Sequence, residues 1–172
     1  MICQQWVHPT LRQRLLEDAL QCVRATSRLP GVLHIALLGS LATTKPEPKD
    51  VDLLLTVTDE ADLIPMASAA RRLKGHAQGY NHGADVFVAN PQGQYIGRLC
   101  PWKRRAPGVR ASCDALHCGR RPFLHDDLAT IQLAADLVLH PPLELFPEVI
   151  RRVPLPIDVE TILVGGLQQV GS

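Results

Sequence analysis

The sequence predicts a mixed fold of the α/β (α+β) kind, and three observations carry that reading. Hydrophobic residues make up 46% of the 172 and charged residues 20%, a globular balance that excludes disorder, collagen and coiled coil. Aromatic residues are few (three Phe, two Trp, two Tyr) while prolines number 14, so the core is mostly aliphatic and the connections are stiffened. Helical and strand-length apolar patterns alternate along the chain. The length suits one domain spanning 1–172. It divides into a core over about 10–100, a Cys/His/Arg-rich loop over 100–125, and a C-terminal helix with an extended tail over 126–172.

From Leu11 to Arg24 the apolar residues Leu11, Leu15, Leu16, Ala19, Leu20 and Val23 recur at spacings of three and four, which predicts an amphipathic helix with Thr10 as its N-cap. Val32 to Leu38 reads as a buried strand ending at Gly39-Ser40. Two prolines in the connection after it, Pro46 and Pro48, leave room for one short helical turn. A second strand is expected over Val51–Thr58. A helix follows to about Lys74, capped near Thr58-Asp59-Glu60 or beginning only at Pro65, and ended by Gly75. Ala84–Ala89 and Tyr95–Leu99 are strand candidates on either side of the Asn90-Pro91-Gln92-Gly93 turn. Asp126–Leu139 has helical periodicity and is stopped by His140-Pro141-Pro142. The remainder is expected to be extended, with a short segment near Val159–Val164.

A formal net charge of +1 argues against generic coating of nucleic acid. No apolar run approaches the ~18 to 20 residues of a membrane helix, and the N-terminus has no basic stretch before an apolar block. The expectation is therefore a soluble, cytoplasmic protein with no membrane partner, whose five cysteines stay reduced.

The chemistry-bearing signal is Leu38-Gly39-Ser40, a nine-residue spacer, Asp50-Val51-Asp52, and then Asp85 among apolar neighbours. Gly39 lets the chain turn sharply off a strand, and Ser40 at the start of a helical turn offers a hydroxyl and backbone N–H groups to a phosphate. In an extended strand residues i and i+2 share a face, so Asp50 and Asp52 project together. Adjacent carboxylates repel unless a cation lies between them, and hard oxygen ligands of this kind suit Mg²⁺ or Mn²⁺. Asp85 completes the cluster if its strand adjoins the second, and it can orient or deprotonate an attacking hydroxyl.

This order of motifs resembles the nucleotidyltransferase superfamily that includes DNA polymerase beta and the minimal nucleotidyltransferases, in a branch of bacterial type. The resemblance covers about residues 30–90. It implies a small mixed β-sheet flanked by helices, with divalent metal at Asp50, Asp52 and Asp85 and nucleotide phosphates at Gly39 and Ser40. It also implies transfer of a nucleoside monophosphate from a nucleoside triphosphate, with Asp85 as candidate general base. The acceptor hydroxyl belongs to a protein, an RNA end or a small molecule, and a homodimer or partner protein supplies further acceptor surface. Leu41 and Thr44 depart from the pattern, where members often carry a basic residue and a glycine.

Other readings stand beside these. Asp50 can cap an ordinary turn, Asp85 can pair with a buried Arg or Lys, and Gly39-Ser40 can be a plain turn. A catalytically inactive nucleotide-binding or regulatory domain retains the same residues. Cys100, Cys113, His117, Cys118 and His125 are zinc-ligand types, yet without a Cys-x2-Cys pair their spacing is poor for zinc, and a zinc-stabilised interaction module is the third alternative. Lys103, Arg104, Arg105, Arg110, Arg120 and Arg121 concentrate positive charge, either as a solvated run or as a cradle for anions, and Trp102 is placed to anchor that loop.

Overall fold

The computed structural model describes residues 8–100, 121–125, 128–129 and 131–169. Helix α1 (Leu11–Thr26) begins as its sequence dictates: Thr10 accepts from the Gln13 N–H and the Gln13 side chain returns to the Thr10 N–H, a complete capping box. The first strand, β1 (Val32–Leu38), has the predicted bounds and leads into a single 3-10 turn at Ser40–Ala42. Strand β2 (Asp50–Val57) starts one residue earlier than expected.

Helix α2 (Leu63–Gln78) is capped by Asp62, whose side chain accepts from the Ile64 N–H, so Thr58-Asp59-Glu60 lie outside it. Pro65 falls in the first turn, where its missing N–H costs nothing. Gly75 does not end the helix. It is exposed, while Leu73 and Ala77 on either side are buried and carry the helix on to Gln78, where Gly79 caps it.

Strands β3 (Gly83–Ala89), β4 (Tyr95–Leu99) and β5 (Leu124–His125) follow. The expected helix over 126–139 is corrected: residues 131–134 are not helical, and among the described residues of this stretch only α3 (Ala135–Leu139) is helical. Within α3 only Val138 is buried, and a helix persists only where a face is covered. The tail holds two strands, β6 (Leu143–Phe146) and β7 (Ile150–Arg151), then a π-helical segment Val159–Val164 that runs into α4 (Gly165–Gln168).

The seven strands form one mixed sheet in the order β5-β4-β3-β2-β1-β6-β7, with β2 and β3 parallel and the other neighbours antiparallel. The fold is α+β. Alternate residues separate the two faces. Val51, Leu53, Leu55 and Val57 of β2, with Ile35, Leu37, Val86 and Val88, pack against α1, α2 and the Val159–Val164 segment in the main core. Ala36, Leu38, Leu54 and Ala89 point the other way, toward Val138, in a smaller cluster. No helix among the described residues is long and apolar enough to cross a membrane.

Candidate functional site

The sequence-predicted acids lie at one end of the sheet, where β1 finishes and β2 and β3 begin. Parallel register sets Asp52 directly beside Asp85, and antiparallel register sets Leu38, the last residue of β1, opposite Asp52. Asp50 is paired with Gly83 in the same register. The side-chain period of two puts Asp50, Asp52 and Asp85 on the face away from α1 and α2, as the Asp-x-Asp spacing predicts.

Two glycines make this crowding possible. Gly39 has φ +71, and a Cβ there would stand 2.5 Å from Asp52 Oδ2. Both the backbone conformation and the carboxylate exclude a side chain. Gly83 is the second, and sequence reasoning missed it: its N–H donates to Asp50 Oδ1 at 3.0 Å, and a Cβ would stand 2.5 Å from the same oxygen. Its position two residues before Asp85 was visible, but its role depends on the β2–β3 register.

The chain around the site is pinned. His82 Nδ1 bonds to the Lys49 carbonyl at 2.7 Å, tying the start of β3 to the start of β2. Ser40 opens the 3-10 turn, its carbonyl accepting from the Thr43 N–H and hydroxyl, and its own hydroxyl makes no hydrogen bond to any described residue. Behind this turn Arg12, buried on α1, donates to the carbonyls of Leu41 and Lys45 and forms a two-pronged pair with Asp158 at 2.7 and 3.0 Å. Asp158 is thereby held below the usual carboxylate range, first by that hydrogen bond.

Electrostatics single out Asp52. Burial, then the charge of Asp85, then that of Asp50, push its carboxyl up to about 6. That is the shift of a partly buried carboxylate with two like charges beside it. Asp85 does have a cation beside it: Arg98 Nη1 lies 3.3 Å from Asp85 Oδ1, with the Arg98 side chain only 5% exposed and that of Asp85 33% exposed. Arg98 on β4 stands opposite Phe87 and reaches Asp85 diagonally, two residues along the same face. The expectation that an Asp in so apolar a strand needs a cation is met by this arginine, which sequence reasoning had not singled out.

Divalent metal fits the donor chemistry, since Mg²⁺ takes one or two carboxylates and completes its shell with water and phosphate oxygens. As the side chains stand, no group of three or more His, Cys, Asp and Glu among the described residues closes around an ion, and Asp50 and Asp85 each give one oxygen to a protein donor. Of the Cys/His candidates, Cys100 and His125 are buried around the β4–β5 pairing, whereas Cys113, His117 and Cys118 lie outside the described residues. Of the basic group, Arg121 donates to the Ala61 carbonyl, beyond the end of β2 opposite to Asp50. Trp102, Lys103, Arg104, Arg105, Arg110 and Arg120 lie outside the described residues.

Compared with known proteins, the chain matches no family model, no curated protein and no solved structure.

Proposed function

We propose that the chain is a metal-dependent nucleotidyltransferase that moves a nucleoside monophosphate from a nucleoside triphosphate to an acceptor hydroxyl. The observation that supports this reading best is the gathering of Gly39, Asp52 and Asp85 at one end of the sheet, with the Asp52 carboxyl pushed up to about 6 by burial first and then by its acidic neighbours. Structural acids are usually arranged to avoid one another, whereas sites for cations bring them together.

In this reading Asp50, Asp52 and Asp85 hold Mg²⁺ or Mn²⁺, which would neutralise charge on the triphosphate. Gly39 and the Ser40 hydroxyl receive phosphate oxygens at the turn. The acceptor oxygen attacks the α-phosphorus, the bond to the bridging oxygen breaks, and pyrophosphate leaves. Asp85 takes the acceptor proton, and Arg98 holds that carboxylate in place. Location in the cytoplasm, and an acceptor that is a protein, an RNA end or a small molecule, complete the proposal.

A second reading is a nucleotide-binding regulatory domain without turnover. The Arg98–Asp85 pair favours it, since an arginine already occupies the cation position at the third acid. One experiment separates them: each α-labelled nucleoside triphosphate with Mg²⁺ or Mn²⁺ and cell extract, beside an Asp50→Asn/Asp52→Asn control. Label on an acceptor, lost in the control, supports transfer. Nucleotide binding without label supports the regulatory domain, and neither label nor binding removes both readings.

A further inference from the structure

The opposite face of the sheet carries a second concentration of charge. Where α1 crosses α2 a groove of about 330 Å³ opens, at the small end of small-molecule sites. Cys22, Ala69 and Leu73 line it with buried apolar surface. Arg24, Arg28 and Arg72 stand around them, whereas Asp18 is the sole carboxylate in the lining and is engaged by His76 Nδ1 at 3.0 Å. Among the described residues neither Arg28 nor Arg72 has a hydrogen bond or ion pair. Arg24 gives Nη2 to the Gly166 carbonyl, and its buried Nε has no acceptor there. Three guanidinium groups thus share one concave site with a single acid, whose Oδ1 meets His76 and whose buried Oδ2 has no hydrogen-bond partner among the described residues, in a chain whose formal net charge is only +1.

We propose that this groove binds a small phosphorylated molecule, with Arg28 and Arg72 meeting the phosphate and Cys22, Ala69 and Leu73 supporting its carbon skeleton. Paired guanidinium forks match a doubly charged phosphate better than a single carboxylate. The charge of Arg72 reaches into the groove: burial pushes the Cys22 thiol up to about 12, and Arg72 is the group that pulls it back. The sheet lies between the groove and the acid cluster, so the site is independent of the proposed transferase chemistry.

The test is an NMR titration of the full chain in EDTA with ribose 5-phosphate, inorganic phosphate and citrate. Wild type is compared with Arg28→Gln/Arg72→Gln, Arg28→Lys/Arg72→Lys and Asp50→Asn/Asp52→Asn. Both arginines are exposed, so the variants are expected to keep the wild-type circular dichroism. The expected result is saturable shifts at Gln21, Ala25 and Leu73 with ribose 5-phosphate. The dissociation constant rises about tenfold or more in the glutamine variant, less in the lysine variant, and not at all in the acid variant. Inorganic phosphate binding equally well would place the recognition in the phosphate alone and overturn the role of the apolar floor. Equal binding of citrate would overturn the preference for phosphate. Shifts that fail to saturate, persist in the glutamine variant, or centre on β2 and β3 would overturn the site.

Discussion

Asp52 occupies the space that a side chain on Gly39 would fill: its Oδ2 lies 2.5 Å from the ideal Cβ position. The turn that leaves β1 and the acid that opens β2 are therefore a single packed unit, and each constrains the residue permitted at the other.

Gly39→Ala forces a Cβ against that carboxylate at a backbone φ of +71. It should destabilise the protein by about 2 kcal/mol or more, measured by urea denaturation. Adding Asp52→Ala should relieve the clash but not the backbone cost. Equal losses in the single and double variants would refute the contact.

The stability of the protein should depend on pH through Asp52. Its folded carboxyl titrates near 6 against an ordinary value of 3.8, so the raised side is the folded one. Its favourable contribution is complete below pH 3.8, where it is protonated in both states, and is lost as pH rises through 6. At pH 7 to 8 in EDTA, Asp52→Asn should therefore be more stable than wild type by about 1–2 kcal/mol, after discounting for solvent screening. The gain should vanish toward pH 4. In wild type Mg²⁺ should raise the melting temperature, and in Asp52→Asn it should not. Identical pH profiles for the two proteins would remove Asp52 from the cluster.

Arg98→Met takes the guanidinium away from Asp85 and leaves a partly buried carboxylate facing apolar surface. The expected loss is about 2–3 kcal/mol at pH 7. Arg98→Met/Asp85→Asn should be more stable than Arg98→Met alone, because the stranded charge is gone. A double-mutant cycle with no coupling would show that the 3.3 Å approach contributes nothing.

Arg12→Ala removes the Asp158 pair and both carbonyl contacts that hold the turn after Ser40. A loss of about 2–4 kcal/mol is expected. Hydrogen exchange should quicken at Ala42 and Thr43, whose amides close that turn, more than in the centre of β1. Uniform loss of protection would mean that Arg12 serves the whole fold and not this turn.

Much of this site is legible in the sequence. Gly39, Ser40, Asp50 and Asp52 are close in sequence, so the strand period and the turn at glycine were enough to group them. Asp85 could be nominated as an acid in an apolar strand, but its neighbour on the sheet could not. Arg98, Gly83 and Arg12 escaped notice because each acts across elements, through β-register or through a side chain spanning from α1 to the loop after β1.

What the sequence by itself determined are the features written in local periodicity. The bounds of β1 and β4, the Thr10 cap of α1 and the shared face of Asp50 and Asp52 follow from neighbours within a few residues. Tertiary structure decided the rest. Asp126–Leu139 has a helical pattern, yet among its described residues only Ala135–Leu139 is helical, with Val138 buried against the small cluster of Ala36, Leu38, Leu54 and Ala89 and Leu133 packed on the same cluster from outside the helix. Gly75 could not stop α2, because burial of Leu73 and Ala77 outweighed the entropy of one exposed glycine. Strand partners obey the same logic: pairing β2 with β3 in parallel, and so placing Asp52 beside Asp85, is a choice made by which faces bury against α1 and α2, not by any residue in either strand alone.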